Sequence, residues 1–491
     1  MPVVVMIAEK VKAAGAKGHY CSDVSKRCTT NRIDFMDQKS VKAEVQGELF
    51  KRRGHEIPDA ERVRMFQEKL YQKAKQERGY KFYVLYDKMF IPYMLRRAWQ
   101  QVKANGGSSG VDNVTIEEVE RYGVDTYLKE LGEDLRKQTY RPQAVKRVMI
   151  PKANGGERPL GIPTVRDRIA QTVCKMILEP IFEADFQESS YGFRPGRSAK
   201  DAITAIKKNL REGRTEVYDA DLSAYFDSIP HDKLQIALKQ RISDPRMLKL
   251  INKWLKAPVK EGNQYKSGKK NQKGTPQGGV ISPLLANIYL HLLDRIVNKE
   301  GSLFSKHGVK MVRYADDFVL MGKHIPDEVI NKLKGLLDRM GLSLNEIKTQ
   351  KIDAKAKRFD FLGFTIRYDR DLHNGGITKY WNIIPSKRAE QGIRNKIRAF
   401  LKTHGHSNAQ TVSAGLNSRI RGWLNYFDIK GVSYPTMSKR MLRYYLTKKL
   451  YKYYTRKSQR KCKLYGSNAY ETLVKSFGLI DPSKYVFVDS P

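Results

Sequence analysis

The stretch Val312-Arg313-Tyr314-Ala315-Asp316-Asp317-Phe318-Val319-Leu320 sets two adjacent carboxylates inside an apolar run. An isolated Asp-Asp pair usually marks a solvated turn. These flanks are β-branched and aromatic instead, the composition of a strand that packs against something. Neighbours on a regular strand point to opposite faces. A hairpin turn at Ala315-Asp316 lets Asp316 face the same side as a third acid, Asp221, with Asp317 near it. Asp221 closes Glu216-Val217-Tyr218-Asp219-Ala220-Asp221, about ninety residues earlier, whose alternation reads as another strand.

Acids gathered at the edge of an apolar sheet raise one another's pKa. Divalent cations offset that repulsion, and Mg²⁺ prefers oxygen ligands while keeping positions open for water and phosphate. Two ions ~3.5–4 Å apart can activate a 3′-hydroxyl and stabilise a pyrophosphate leaving group. The expected cofactor is therefore a pair of Mg²⁺ ions, with Mn²⁺ able to substitute.

The bulk composition points the same way. Lys and Arg number 92 against 52 Asp and Glu, a net charge of +40 on 491 residues. A folded chain with that excess repels itself unless a polyanion shares its surface, and nucleic acid is the obvious one. Residues 371–491 hold 23 Lys/Arg against 6 Asp/Glu and 11 of the 27 tyrosines. Cations interleaved with aromatics suit phosphate contact and base stacking, although a helical surface with snorkelling lysines has the same composition. No 18-residue apolar run offers a membrane span, and the apolar start Met1–Ile7 is too short for a signal peptide. A cytoplasmic protein with no membrane partner is expected. Cys21, Cys28, Cys174 and Cys462 are scattered and read as reduced thiols.

Residues 1–58 are polar and basic without apolar periodicity, and read as an N-terminal extension, either RNA-binding or disordered. Helical patterns follow over 58–71 and from Leu85 to Val102. Arg147 to Ile162, with Asn154-Gly155-Gly156 at its centre, predicts a β-hairpin. A helix is expected from Arg166 to Phe182, a Gly/Pro loop running into a helix over 274–290, and a strand from Arg358 to Tyr368. From Ser386 onward the chain reads as helical and basic.

Eight blocks in order now carry a resemblance. They are Ala104 to Asp112; Ile150 to Pro163 with Arg166-Asp167-Arg168; Tyr191-Gly192-Phe193-Arg194-Pro195-Gly196-Arg197-Ser198; Asp221 to Asp227; Gly274 to Asn287; Tyr314-Ala315-Asp316-Asp317; Leu344 to Lys348; and Phe361-Leu362-Gly363-Phe364. Over roughly residues 60–430 the chain resembles the reverse transcriptase/maturase proteins encoded by bacterial group II introns.

The resemblance implies an α+β right-hand polymerase. Fingers and a split βαβ palm would occupy 59–370, and a helical thumb/maturase domain 371–491. It implies RNA-directed DNA synthesis, with Asp221, Asp316 and Asp317 as the catalytic, metal-binding triad. Phe226 would be the steric gate that excludes a 2′-hydroxyl, or else an ordinary core aromatic. Lys152 and Arg158 would hold the triphosphate, as a point charge and a bidentate clamp, or else be solvated hairpin cations. Gln277 would touch the incoming nucleotide or template, or cap a turn. Arg194, Arg197 and Lys348 are candidates for nucleic-acid contact.

Leu416 to Phe427 resembles the maturase signature. Leu416, Ile420, Trp423, Leu424 and Phe427 make one helical stripe and should be core. Arg419, Arg421 and Asn425 lie off it, facing either RNA or solvent. The implied partners are the parent group II intron RNA, an RNA template with a DNA primer, dNTPs and target DNA. Many relatives append an HNH endonuclease, and its histidines are not seen here, so no endonuclease activity is expected. The alternatives are a domesticated enzyme of phage defence, CRISPR spacer acquisition or DNA repair, and a maturase acting mainly as an RNA-binding splicing factor.

Overall fold

The computed structural model describes residues 57–151, 156–266, 268, 271–370, 378–456, 464 and 468–486. The basic extension, up to residue 56, lies outside them, as do Lys152 and three of the cysteines, Cys21, Cys28 and Cys462.

Helix α1 (Asp59–Gln76) starts behind Pro58, with Asp59 and Glu61 in its first turn and Lys73 and Lys75 in its last, each where the helix dipole favours it. The helix expected from Leu85 to Val102 is broken. A 3-10 turn, Tyr86–Phe90, comes first, and α2 (Pro92–Asn105) begins at a proline. Pro92 holds Ile91 extended, at φ −70° and ψ 128°, because its ring disfavours a helical predecessor. Then come α3 (Ile116–Tyr122), closed by a Thr115/Glu118 capping box, and α4 (Val124–Arg136). The expected hairpin is present: β1 (Val145–Pro151) pairs antiparallel with β2 (Glu157–Ile162), Ile150 opposite Arg158. Behind it α5 (Val165–Glu183), capped by Thr164, is buried on nearly every side.

The central sheet lies between two cores. In chain order its surroundings are α6 (Ala199–Arg211), β3 (Glu216–Asp221), α7 (His231–Leu238), α8 (Pro245–Leu255), β4 (Val259–Glu261), β5 (Gln264–Lys266), α9 (Ser282–Asn298), β6 (Lys310–Tyr314), β7 (Asp317–Gly322), α10 (Asp327–Met340) and β8 (Gln350–Asp353). The strand order is β6-β7-β3-β8 with every pair antiparallel. Strand periodicity sends alternate side chains to opposite faces. Tyr218, Ala220, Phe318 and Leu320 join the core shared with α5, α9 and α10. Val217, Val312, Val319 and Met321 join the core shared with α6 and the C-terminal helices.

The strand expected from Arg358 to Tyr368 is divided at Leu362 and Gly363, which take φ of 49° and 81°. It forms β9 (Phe359–Phe361) and β10 (Phe364–Arg370), and β11 (Lys379–Pro385) pairs along the whole of β10. A domain boundary at 370 would cut that ladder, so the helical part begins at α11 (Lys387–Thr403), capped by Ser386. Next are α12 (Ala409–Phe427), α13 (Thr436–Arg456) and α14 (Ala469–Ser476). Leu416, Ile420, Trp423, Leu424 and Phe427 are all buried. The fold is α+β, a sheet-centred body followed by a helical one. Among the described residues no helix is long and apolar enough to cross a membrane.

Candidate active site

Tyr314 pairs with Asp317 across β6 and β7, which leaves Ala315 and Asp316 as a two-residue turn. Ala315 adopts φ 57°, the left-handed geometry that tight hairpins require at their first turn position. Asp221, the last residue of β3, lies directly opposite Asp317. Cross-strand neighbours have Cβ atoms about 4.5–5.5 Å apart, so the structure brings all three acids to one end of the sheet.

A buried ion pair holds the turn from beneath. Arg313 is 0% exposed and its guanidinium faces Asp294, with Nε donating to Oδ1 at 2.8 Å. Its Nη1 donates to Asn287 Oδ1 at 3.0 Å and to the Ala315 carbonyl at 2.9 Å. Asn287 Nδ2 in turn donates to the Gly192 carbonyl at 2.7 Å. A Cβ on Gly192 would sit 2.4 Å from the Ala315 nitrogen, so only glycine lets the Tyr191–Ser198 loop lie this close to the turn. A charge without water needs such complete pairing.

Burial, then repulsion by Asp316, Asp221 and Asp219, pushes the Asp317 carboxyl up; Asp316 is raised mainly by burial as well. Asp219, singled out by nothing in the sequence reading, lies on the same face of β3 as Asp221. Burial and Asp221 push it up to about 6. Strand alternation was the signal that could have found it. Lys348 Nζ donates to Asp221 Oδ2 at 2.9 Å, so this candidate stands at the acids themselves. Among the described residues no three His, Cys, Asp or Glu groups form a ready-made metal cage. The donor set is nonetheless all oxygen, its acids repel, and an ammonium already rests on one of them. That chemistry fits a hard divalent cation held by a few carboxylates and substrate phosphates rather than in a protein cage.

The hairpin side faces the same acids. Arg158 Nε donates to Gln277 Oε1 at 2.9 Å, and Gln277 Nε2 donates to Asp227 Oδ2 at 3.3 Å. The Arg158 charge favours ionised Asp316. The Gly274 to Ile281 loop docks on β2 through the Gly161 N–H, which donates to the Gln277 carbonyl. Gly278 takes φ 107°, and a Cβ there would lie 2.3 Å from the Gly161 oxygen. Phe226 sits in the helical turn Tyr225–Ser228 after Ala224 (φ 43°), is 9% exposed, and meets Tyr225 at 5.6 Å between ring centroids. Its carbonyl accepts from Thr275 N at 2.7 Å, joining this turn to the Gln277 loop. Burial raises the Asp227 pKa, and the charges of Arg147, given no site role in the sequence reading, and Arg158 only partly oppose that rise.

Two family models match the chain: Reverse transcriptase (RNA-dependent DNA polymerase) over residues 150–366, and Group II intron, maturase-specific domain over 390–466. Protein YkfC of Escherichia coli is 37% identical over 296 residues, 53% of this chain and 76% of that protein. Group II intron-encoded protein LtrA of Lactococcus lactis is 30% identical over 380 residues, 65% of this chain and 62% of LtrA. The chain belongs to the group II intron reverse transcriptase/maturase family. A 91 kDa cob intron protein of Schizosaccharomyces pombe is 29% identical over 73% of this chain, which spans 53% of that relative's length.

For this reverse transcriptase/maturase chain the expected nucleic-acid contacts divide. Arg194 is a correction. It is 7% exposed, its Nη2 donates to Glu183 Oε1 at 2.6 Å, and its Nη1 donates to the Gln187 and Ser190 carbonyls at 2.6 and 2.7 Å. Those partners use up the donor fork, so Arg194 anchors its own loop. Arg197 is half-buried, paired with Glu188 and set over the Tyr191 ring. Arg419 lies 4.3 Å over the Phe400 ring and donates to the Gly415 carbonyl at 2.7 Å. Asn425 Oδ1 accepts from the Tyr485 hydroxyl at 2.7 Å, which pins the C-terminal segment instead of facing solvent. Arg421 is exposed and in no described ion pair.

Proposed function

We propose that the protein is an RNA-directed DNA polymerase that also grips its parent group II intron RNA to promote splicing and mobility. The observation that carries this reading is the register of the central sheet. It sets Asp221 opposite Asp317 and places Asp316 in the turn between β6 and β7. The proposed fingers and palm run from 59 to 385, and the thumb/maturase domain from 387.

Two Mg²⁺ ions held by the three aspartates would supply charge to activate the primer 3′-hydroxyl and stabilise the departing pyrophosphate. The chain's own groups do the positioning. Arg158, aimed by Gln277, clamps the triphosphate of an incoming dNTP from the hairpin side, a task the family resemblance gives to Lys152 as well. Lys348 neutralises Asp221 before the substrate arrives and then turns to phosphate. Phe226 closes the floor under the sugar. The RNA template with its DNA primer follows the cationic surface, and target DNA would enter by the same path.

The match to the maturase-specific model over 390–466 favours an intron-associated role over a domesticated one. Asp316→Ala tests the polymerase reading. The variant is expected to lose primer extension on an RNA template by about 10²–10³-fold or more, as removal of a transition-state charge stabiliser does, while still binding that RNA. Full residual extension would overturn the assignment.

A further inference from the structure

A cavity of about 380 Å³ opens between α6, the β10–β11 hairpin and the segment before α13, far from the carboxylates. Gly213 and Lys355 line it, next to the Glu216↔Asp353 end of the β3–β8 ladder. Asp221 closes the other end of β3, roughly 17 Å away at the usual strand rise.

The wall is aromatic. Tyr368 and Trp381 stand 4.7 Å apart between centroids, and Tyr380 meets Tyr434 edge-on at 5.3 Å. The rim is cationic, with Arg211, Lys355 and Lys379 exposed. At its base Lys207, only 4% exposed, donates to the Gly431 and Val432 carbonyls at 2.9 and 3.0 Å and to the Tyr434 hydroxyl at 3.2 Å. None of these four cations is in a described ion pair. Glu212, the acid beside Arg211 in sequence, is taken by Arg214 and Lys208. The three exposed cations, in no described ion pair, leave the rim open to an anion, while Lys207, its three donors taken, holds the 431–434 segment against α6. Aromatic faces next to phosphate-binding cations are what a nucleotide uses, the ring stacking and the backbone pairing.

We propose that this pocket is a second nucleotide site, holding the base and phosphate of one ribonucleotide. An unstacked residue of an RNA strand and a free mononucleotide share that chemistry. The site goes beyond the polymerase reading and does not depend on it, since no residue of the carboxylate cluster takes part.

The test uses the full chain and a single-stranded oligo(U) carrying 4-thiouridine. Irradiation followed by peptide mapping is expected to place the crosslink at Tyr368, Tyr380, Trp381 or Tyr434. Excess ribonucleoside monophosphates separate the two sources: a crosslink that persists belongs to a strand residue, and one that is competed away to the free nucleotide. The double variant Lys355→Glu with Lys379→Glu should lower oligo(U) affinity about tenfold or more and reduce the salt slope by roughly 1.4. Lys332→Glu with Lys334→Glu carries the same charge change on an exposed face of α10 and should do far less. Equal loss in both variants, or crosslinks mapping only outside the pocket in a protein that melts normally, would overturn the proposal.

Discussion

Asp219 lies two residues before Asp221 on the same face of β3, where burial and its neighbour hold its carboxyl up at about 6 against an ordinary 3.8. The folded chain therefore keeps a proton that the unfolded chain releases. For this group, stability is fullest below pH 4 and falls as pH rises towards 6. Asp219→Asn removes the ionisation penalty. In metal-free buffer the variant should gain about 1–3 kcal/mol in urea denaturation at pH 8 and nothing at pH 4; an equal gain at both values would exclude ionisation as the cause. Phe226 carries a different kind of test, because a ring only 9% exposed is both a core residue and the candidate gate. Phe226→Val should cost about 1–3 kcal/mol of stability in either role. Only a gate would also raise incorporation of rNTPs relative to dNTPs in primer extension, and an unchanged sugar preference would leave the ring a packing residue.

The β6–β7 turn depends on the Arg313–Asp294 pair, both side chains 0% exposed. Removing one partner leaves a lone buried charge, so Asp294→Asn or Arg313→Met should each destabilise by about 3–5 kcal/mol. Arg313→Met with Asp294→Leu should cost less than either in thermal melts, and a simple sum would mean that the two groups do not interact. The turn itself was legible because its two acids interrupt an apolar run, and the hairpin before it because Asn154-Gly155-Gly156 separates two strands. The ion pair beneath was not, because Asp294 comes from a helix nineteen residues away in sequence and burial of an arginine is a tertiary fact. Arg194 misled for the same reason, since its partner Glu183 lies at the end of α5. Two other misses had signals in plain view. Pro92 breaks the helix drawn through it, and Gly363 bends the strand drawn from Arg358.

Across the whole molecule the cationic excess is uneven, with 23 Lys/Arg against 6 Asp/Glu in the last 121 of 491 residues. Helix α13 shows how that segment is built. Leu442, Leu446, Leu450 and Tyr454 face the core, while Met437, Met441, Tyr444 and Tyr451 lie exposed on the other side. Lys448 lies 4.4 Å over the Tyr444 ring, so aromatic and cation share one outward surface. Two contributions to RNA affinity follow, and salt separates them. Phosphate pairing releases counterions, so a surface neutralising six to ten phosphates should lose about 10³–10⁵ in affinity between 50 and 200 mM salt. Stacking is nearly salt-independent and contributes about 1–3 kcal/mol per base. Tyr444→Ala and Tyr451→Ala should therefore weaken binding of a structured RNA by a constant factor at every salt concentration, leaving the slope of log affinity against log salt unchanged. Arg421→Ala should flatten that slope by about one unit. A shallow slope in the unaltered chain, or unchanged affinity in the tyrosine variants, would show that the outward face of α13 is not the surface RNA uses.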